Sequence, residues 1–139
     1  MPVAKEKQKM KLSERALMYF VEQKKNCAVS MLMAANDHYS LGLQPGDADL
    51  IAGFGGGIGC GKICGMMAAS VAVLGKLYAG REDFKKLCQQ LVRTFRQEMG
   101  CDSIDCKDLA PVYKVETGRC VGGVEKWADA FEKFLSEIE

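Results

Sequence analysis

The feature that most constrains the fold is a glycine-rich segment, residues 53–61, in which six of nine residues are glycine. Glycine loses more backbone freedom on folding than any other residue, so a regular helix or strand is not expected there. Residues 62–78, which follow, form the most apolar stretch of the chain and show helical spacing. The sequence therefore predicts a Gly-rich loop that leads into a buried central helix.

Apolar residues recur at helical spacing in most of the remaining chain. Ser13, Asn26 and Asp47 are predicted N-caps. Further helices are expected over residues 13–23, 26–38, 47–52, 81–99 and 121–138. Residues 101–123 are expected to form a loop, in which only residues 112–115 suggest a short strand. These patterns predict an all-α, single-domain bundle of about five to six helices spanning residues 1–139, with residues 1–11 as a flexible tail.

The charge balance and the apolar runs exclude several classes of partner. Nineteen Lys and Arg residues face eighteen Asp and Glu residues, so no strong net field attracts nucleic acid. The longest apolar runs fall well short of the ~20 residues that cross a bilayer, so no membrane insertion is expected. The basic N-terminus lacks the apolar block of a secretion signal. We therefore expect a cytoplasmic protein.

Seven cysteines are several-fold more than a chain of 139 residues ordinarily carries. In a reducing cytoplasm such a number indicates metal binding or redox chemistry before structural disulfides. No C-x-x-C pair occurs, however, and Cys101 and Cys106 form the only close pair outside the glycine segment. Local spacing alone therefore does not identify the kind of site.

Residues 56–62 match G-x-x-x-x-G-K, most of a phosphate-binding loop. Such a loop also needs a preceding buried strand and a following Ser or Thr for magnesium, but Ile63 takes that position. The chain also lacks the alternation of strands and helices that would supply a parallel sheet. No nucleotide is expected.

The glycine loop is better explained as the entry to a helix that presents sulfur. Cys64 lies in the first turn of the predicted central helix, and Cys27 directly follows the predicted cap Asn26. Unpaired amides at a helix start favour thiolate and lower a thiol pKa. The loop amides predicted to lie near the sulfur site belong to Gly55, Gly56, Gly57 and Gly59.

The order of these segments resembles one known family. Asn26-Cys27-Ala28, the glycine run, Cys64-Gly65, Cys106 and Cys120 follow the signature of the C_GCAxxG_C_C family, for which a redox role is proposed from its cysteines. The resemblance implies an all-helical domain whose site cysteines are Cys27, Cys64, Cys106 and Cys120. A related domain attached to split-Soret cytochromes favours electron transfer and an iron–sulfur cluster.

This chain departs from the family pattern just after Cys64-Gly65. Met66 and Ala69 stand where the family prefers Ala and Gly. Both replacements are larger, so a neighbouring helix is expected to pack more loosely there.

Three functions fit four thiols. The first is a redox protein in which Cys27, Cys64, Cys106 and Cys120 bind an iron–sulfur cluster and exchange electrons with a redox partner protein. The second is a metal-free thiol–disulfide protein, in which Cys64 attacks and a second cysteine, such as Cys27, resolves. The third is a structural zinc site in an interaction module. The sequence leaves open whether the chain is an oxidoreductase or an electron-transfer component.

The remaining cysteines and the single histidine have simpler readings. Cys88 lies on a buried helical stripe and is predicted to be structural. Cys60 and Cys101 are possible extra thiols that could resolve a disulfide. His38 is expected to cap the end of its helix. The small residues of the central helix also predict a homodimer.

Overall fold

The computed structural model describes residues 10–114 and 120–138. Within these residues there are seven α-helices and no strand. They are α1 (Leu12–Leu17), α2 (Cys27–Tyr39), α3 (Asp49–Ala52), α4 (Gly65–Tyr78), α5 (Phe84–Met99), α6 (Cys106–Tyr113) and α7 (Val121–Ser136). The predicted all-α class is confirmed, with one helix more than expected. Most of the predicted tail lies outside the described residues.

The additional helix is α6, where the sequence predicted a loop with a short strand. Pro111 lies inside this helix, where proline removes a backbone donor and usually interrupts helical hydrogen bonding. Asp105 at the N-cap and the buried Leu109 on the inner face were the available helical signals. The strand prediction is wrong for residues 112–114, and Val115 lies outside the described residues.

Two segments depart from regular α-helical hydrogen bonding. Beyond α1 the chain widens into a π-helical turn over Met18–Glu22. Where an open glycine loop was expected, Gly57–Gly61 form a wide turn closed by the Lys62 amide, which donates to the Gly57 carbonyl at 2.9 Å. Ile58 and Gly59 inside this turn have positive φ angles of 60° and 64°.

The helices pack as pairs around one apolar core. Helix α2 packs on α4, α1 packs on both α2 and α7, and α5 packs on α7. Trp127, Phe95 and Phe131 are fully buried at the centre of the core. The amphipathic pattern of α5 is confirmed, and Gly100 ends that helix with a left-handed φ of 65°.

Helix α4 is less buried than the sequence predicted. Met66, Val73 and Leu74 are buried, as expected for a central helix. Val71 and Leu77, however, are more than a third exposed. The expectation of an almost fully buried helix is therefore wrong for one face, which reaches the surface.

The prediction that His38 caps the end of α2 is wrong, because both of its ring nitrogens bond to side chains of other helices. Its Nδ1 accepts a hydrogen bond from Arg15 Nε, and its Nε2 lies 3.1 Å from Glu132 Oε2. The other oxygen of Glu132 accepts the Leu12 amide at 3.0 Å. A single polar chain thus ties α1, α2 and α7 together on the side of the bundle where the N-terminal helix docks.

Candidate functional site

The cysteines that the family resemblance singled out all lie where a helix begins. Cys27 and Cys106 are the first residues of α2 and α6, and Cys64 and Cys120 are the N-caps of α4 and α7. All four line one cavity of about 150 Å³. Because unpaired amides give each helix start a partial positive charge, four starts around one cavity favour negative charge inside it.

The start of α2 is fixed by Asn26. The Asn26 Oδ1 accepts the Val29 amide at 2.9 Å, as expected of an N-cap, so this prediction is confirmed. Its Nδ2 donates to the Ala52 carbonyl at 2.9 Å and so joins α2 to the end of α3. Asn26 therefore sets the position of Cys27 at the edge of the glycine segment.

Two glycines in this region are required by close approach. A Cβ atom on Gly65 would lie 2.6 Å from Cys27 Sγ, and one on Gly57 would lie 2.5 Å from the Lys62 carbonyl oxygen and 2.8 Å from Cys106 Cβ. Gly57 also has a φ of 65°. Real Cβ atoms do not approach other atoms this closely. Only glycine at these two positions therefore lets the cysteine-bearing segments lie so near each other.

The segment before α4 is hydrogen-bonded to the segment before α6. The Cys64 amide donates to the Ile104 carbonyl at 2.6 Å, and the Ile63 amide donates to Asp105 Oδ1 at 2.8 Å. Ile63 is held at a φ of 36°, a conformation that a β-branched residue rarely adopts. These bonds hold the start of α4 beside the start of α6. Cys64 and Cys106 are thereby brought to the same region, although 41 residues (65–105) separate them in the chain.

Burial controls the acidity of the thiols. Burial raises the pKa of Cys64 to about 12, the charge of Cys27 adds to the rise, and the amides of Met66 and Met67 oppose it. Burial also raises the pKa of Cys27, against the Gly56 amide, and the pKa of Cys120, against the charge of Lys114. The predicted lowering of the Cys64 pKa is wrong, because loss of solvation outweighs the helix start.

The four glycines whose amides were predicted to lie near the sulfur site differ in their position relative to the cavity. Gly56 lines the cavity, and its amide favours the Cys27 thiolate. Gly57 contributes close approach to Cys106, while Gly55 packs against the Asn26 side chain, 2.6 Å from Nδ2 to the position of a Cβ atom. Gly59 is not among the cavity-lining residues and has no atom near the position of a Cβ.

The other three cysteines lie outside the cavity. Cys60 is exposed in the wide turn, and its thiol donates to the Gly57 carbonyl at 3.5 Å. Cys88 and Cys101 are half-buried and pack against the apolar core. All seven cysteines are free thiols.

Several cavity residues were missed by sequence reasoning. Lys114 lines the cavity, whereas Lys62, the basic residue at the end of the glycine-rich segment, is exposed and does not. Tyr113 also lines it and donates from its hydroxyl to the Met99 carbonyl at 2.8 Å. Phe20 and Leu109 supply apolar walls. The only available signal was that Tyr113 and Lys114 lie between two candidate cysteines.

Four cysteine thiolates are a donor set that a structural zinc site and an iron–sulfur cluster both use. Zinc holds thiolate sulfur at about 2.3 Å, which places four sulfurs about 4 Å apart with no cavity between them. In the described part of the chain, no three His, Cys, Asp or Glu side chains converge closely enough to hold a metal ion. The four cysteines nevertheless line one cavity, and four thiolates are the usual donors to iron–sulfur clusters.

Comparison with known proteins assigns the chain to a class. A family model described as "Putative redox-active protein (C_GCAxxG_C_C)" matches residues 25–134. The chain belongs to this family, as its cysteine pattern predicted. Searches of curated proteins and of solved structures give no significant match. Within the described residues, no helix combines the length and apolarity that a membrane span requires.

Proposed function

We propose that this protein is an electron-transfer component in which Cys27, Cys64, Cys106 and Cys120 hold an iron–sulfur cluster. The observation that carries the proposal is one cavity of about 150 Å³ bounded by four thiols from four helix starts. Such a cluster supplies reversible one-electron transfer. The redox partner protein, the cytoplasmic location and the homodimer stay predictions.

The chain's own residues have distinct roles in this proposal. The Gly56 amide favours negative charge on the Cys27 sulfur, and the amides of Met66 and Met67 do the same for Cys64. Hydrogen-bond donors near a ligating sulfur raise the reduction potential of a site by stabilising its more negative state. Phe20 and Leu109 limit access of water, because both line the cavity with apolar side chains.

The raised pKa values argue against a free nucleophile. A thiol with a pKa of about 12, such as Cys64, is almost fully protonated near pH 7 and is a poor attacking group. A metal centre displaces that proton when it binds, so its affinity increases with pH. Burial therefore disfavours the alternative in which Cys64 attacks a disulfide and Cys27 resolves it.

Anaerobic purification tests the proposal. We expect visible absorption together with iron and acid-labile sulfide in the wild-type protein, and loss of all three in Cys64→Ser. Cys88→Ser is the matched control, because Cys88 lies outside the cavity, and it should keep wild-type iron and sulfide. A colourless wild-type protein without iron after cluster reconstitution would exclude the cluster, and bound zinc would identify the structural alternative.

Thiol counting under oxidising conditions separates the metal-free alternative. If the protein lacks iron but forms a reversible intramolecular disulfide involving Cys27 or Cys64, the thiol–disulfide function is the correct one. Cys27 Sγ lies close to Gly65, the residue that follows Cys64, so Cys27–Cys64 is the first pairing to look for.

A further inference from the structure

An apolar groove lies on the exposed face of α4, away from the thiol cavity. Its volume is about 610 Å³, and none of its lining residues lines the thiol cavity. The lining is mostly apolar and comes from α2, α3, α4, the connection between α2 and α3, and Phe54 of the glycine-rich segment. Asp47 and Lys76 are its charged members. Leu50 is 88% exposed, an unusual state for leucine beside other apolar residues.

We propose that this groove is the interface of a two-fold homodimer. In a two-fold interface the same patch meets itself, so it must contain both a protrusion and a recess. Leu50 protrudes from α3, while Ala68 and Ala72 leave space beside it on α4. Two copies facing each other can therefore place each Leu50 against the small residues of the other copy.

The charges of the groove are also self-complementary. Asp47 and Lys76 both line it, and neither takes part in a salt bridge within the described residues. Asp47 Oδ2 accepts the Gln44 amide at 2.7 Å and keeps its other oxygen for a further partner. A two-fold axis between two grooves can place each Asp47 opposite a Lys76 and so form the same ion pair twice. The net charge of +1 leaves little long-range repulsion between copies. A membrane surface or an unrelated apolar helix would account for the leucines but not for this balanced pair.

The interface would support the segment that frames the thiol cavity. Phe54 lines the groove, and its carbonyl accepts the amides of Gly57 and Ile58 at 3.0 and 3.3 Å. Contact with a second copy would therefore restrain the residue from which the wide glycine turn begins. The inference does not depend on what the four thiols bind.

Sedimentation equilibrium of the full chain, in the presence of a reductant, tests the interface. The reductant prevents linkage of two copies through the exposed Cys60. We expect a wild-type dimer and a dissociation constant at least about tenfold higher in Leu50→Asp, because each copy loses a buried leucine. Val112→Asp is the matched control, since Val112 is 59% exposed and lies off the groove, and it should dimerise normally.

A charge-swap cycle tests the two-fold arrangement itself. Asp47→Lys and Lys76→Asp should each weaken dimerisation about fivefold, because each breaks both ion pairs. The double variant should bind more tightly than either single variant, although it still lacks the acceptor of the Gln44 amide. Circular dichroism confirms that the variants fold. A wild-type protein that stays monomeric, a Leu50→Asp variant that dimerises normally, or a double variant without recovery would each overturn the proposal. Binding of an amphipathic helical peptide or of lipid vesicles by a monomer would assign the groove to another occupant.

Discussion

The aromatic core and the thiol cavity are built in opposite ways. Trp127 is fully buried, packs edge to face on Phe95 at 4.8 Å between ring centroids, and stacks on Phe131. The cavity instead encloses open space and is framed by glycines with left-handed backbone. The comparison indicates that stability is concentrated in the filled region, whereas the thiol region holds its shape through close backbone approach.

One polar chain links the two regions. The Trp127 indole donates to Ser70 Oγ at 2.8 Å, and Ser70 donates to the Met66 carbonyl at 2.8 Å. Met66 lines the thiol cavity. Because the buried indole and hydroxyl are both satisfied, this chain fixes α4 against α7 without the cost of an unpaired polar group.

Trp127→Ala should give the largest loss of stability. Removal of a fully buried tryptophan leaves a cavity among Phe95, Phe131 and Ser70 and should lower the free energy of unfolding by about 3–5 kcal/mol. Urea denaturation measures this loss. Trp127→Phe keeps most of the volume and should lose clearly less. Equal losses in the two variants would show that the hydrogen bond to Ser70, and not packing, dominates the filled region.

Gly65→Ala should displace Cys27 in the thiol region as well as lower the stability of the protein. The new Cβ would meet Cys27 Sγ at 2.6 Å and the Phe54 carbonyl at 3.1 Å, so we expect a loss of about 1–3 kcal/mol and displacement of Cys27. Alkylation of Cys27, followed by mass spectrometry, should be faster than in the wild type.

The matched control for this change is Gly53→Ala. Gly53 belongs to the same glycine-rich segment, but it has a φ of −65° and no atom within 4 Å of the position of a Cβ. Its substitution should leave both stability and alkylation close to wild type. If Gly65→Ala behaved like Gly53→Ala, close approach would not be what shapes the thiol region.

The raised pKa of Cys64 makes the metal-free protein sensitive to alkali. The folded state holds the thiol proton more tightly, with a pKa of about 12 against an ordinary 9.0. The stabilisation is therefore complete below about pH 9 and is lost as the pH rises toward 12. At pH 10 the loss should be on the order of 1–2 kcal/mol relative to neutral pH.

Chemical denaturation of metal-free protein at pH 8 and pH 10 measures this loss. Cys64→Ser, which cannot titrate, is the reference, because the two chains share every other alkaline group. The wild type should lose more stability than Cys64→Ser over this interval. An identical loss in both proteins would contradict the burial of a protonated Cys64 thiol.

The sequence predicted the elements that carry strong periodicity. Helix α5 follows from its single apolar stripe, and the start of α2 follows from the side chain of Asn26. Helix α6 could not be predicted with the same rules, because Pro111 contradicts a helix locally and is tolerated only in the folded context. Local propensity therefore fails to predict secondary structure where tertiary contacts determine the backbone conformation.

The candidate site was predicted in its cysteines but not in its surroundings. Cys27, Cys64, Cys106 and Cys120 were singled out through the family pattern, and the structure places all four at one cavity. The contribution of Lys114 and the effect of burial on the thiol pKa values depend on distances across the fold, which spacing along the chain does not encode. The hydrogen bond between Ile63 and Asp105 likewise joins residues far apart in the chain and could not be predicted from their spacing.

The hydrogen bond from the Ile63 amide to Asp105 gives the smallest expected effect. It also gives the most specific test of how the thiol region keeps its shape. Asp105→Ala removes the acceptor of the Ile63 amide and should cost about 1 kcal/mol. Hydrogen exchange of the Ile63 amide should become faster, because the amide loses its acceptor and the backbone of Ile63 is no longer restrained at its φ of 36°. Asp105→Asn keeps an acceptor oxygen and should restore most of the protection. Asp108→Ala, an exposed change in the first turn of α6, should leave the Ile63 amide unaffected. Unchanged exchange in Asp105→Ala would mean that the glycines alone hold Cys64 opposite Cys106, so the thiol region would owe its shape to backbone packing without help from this side chain.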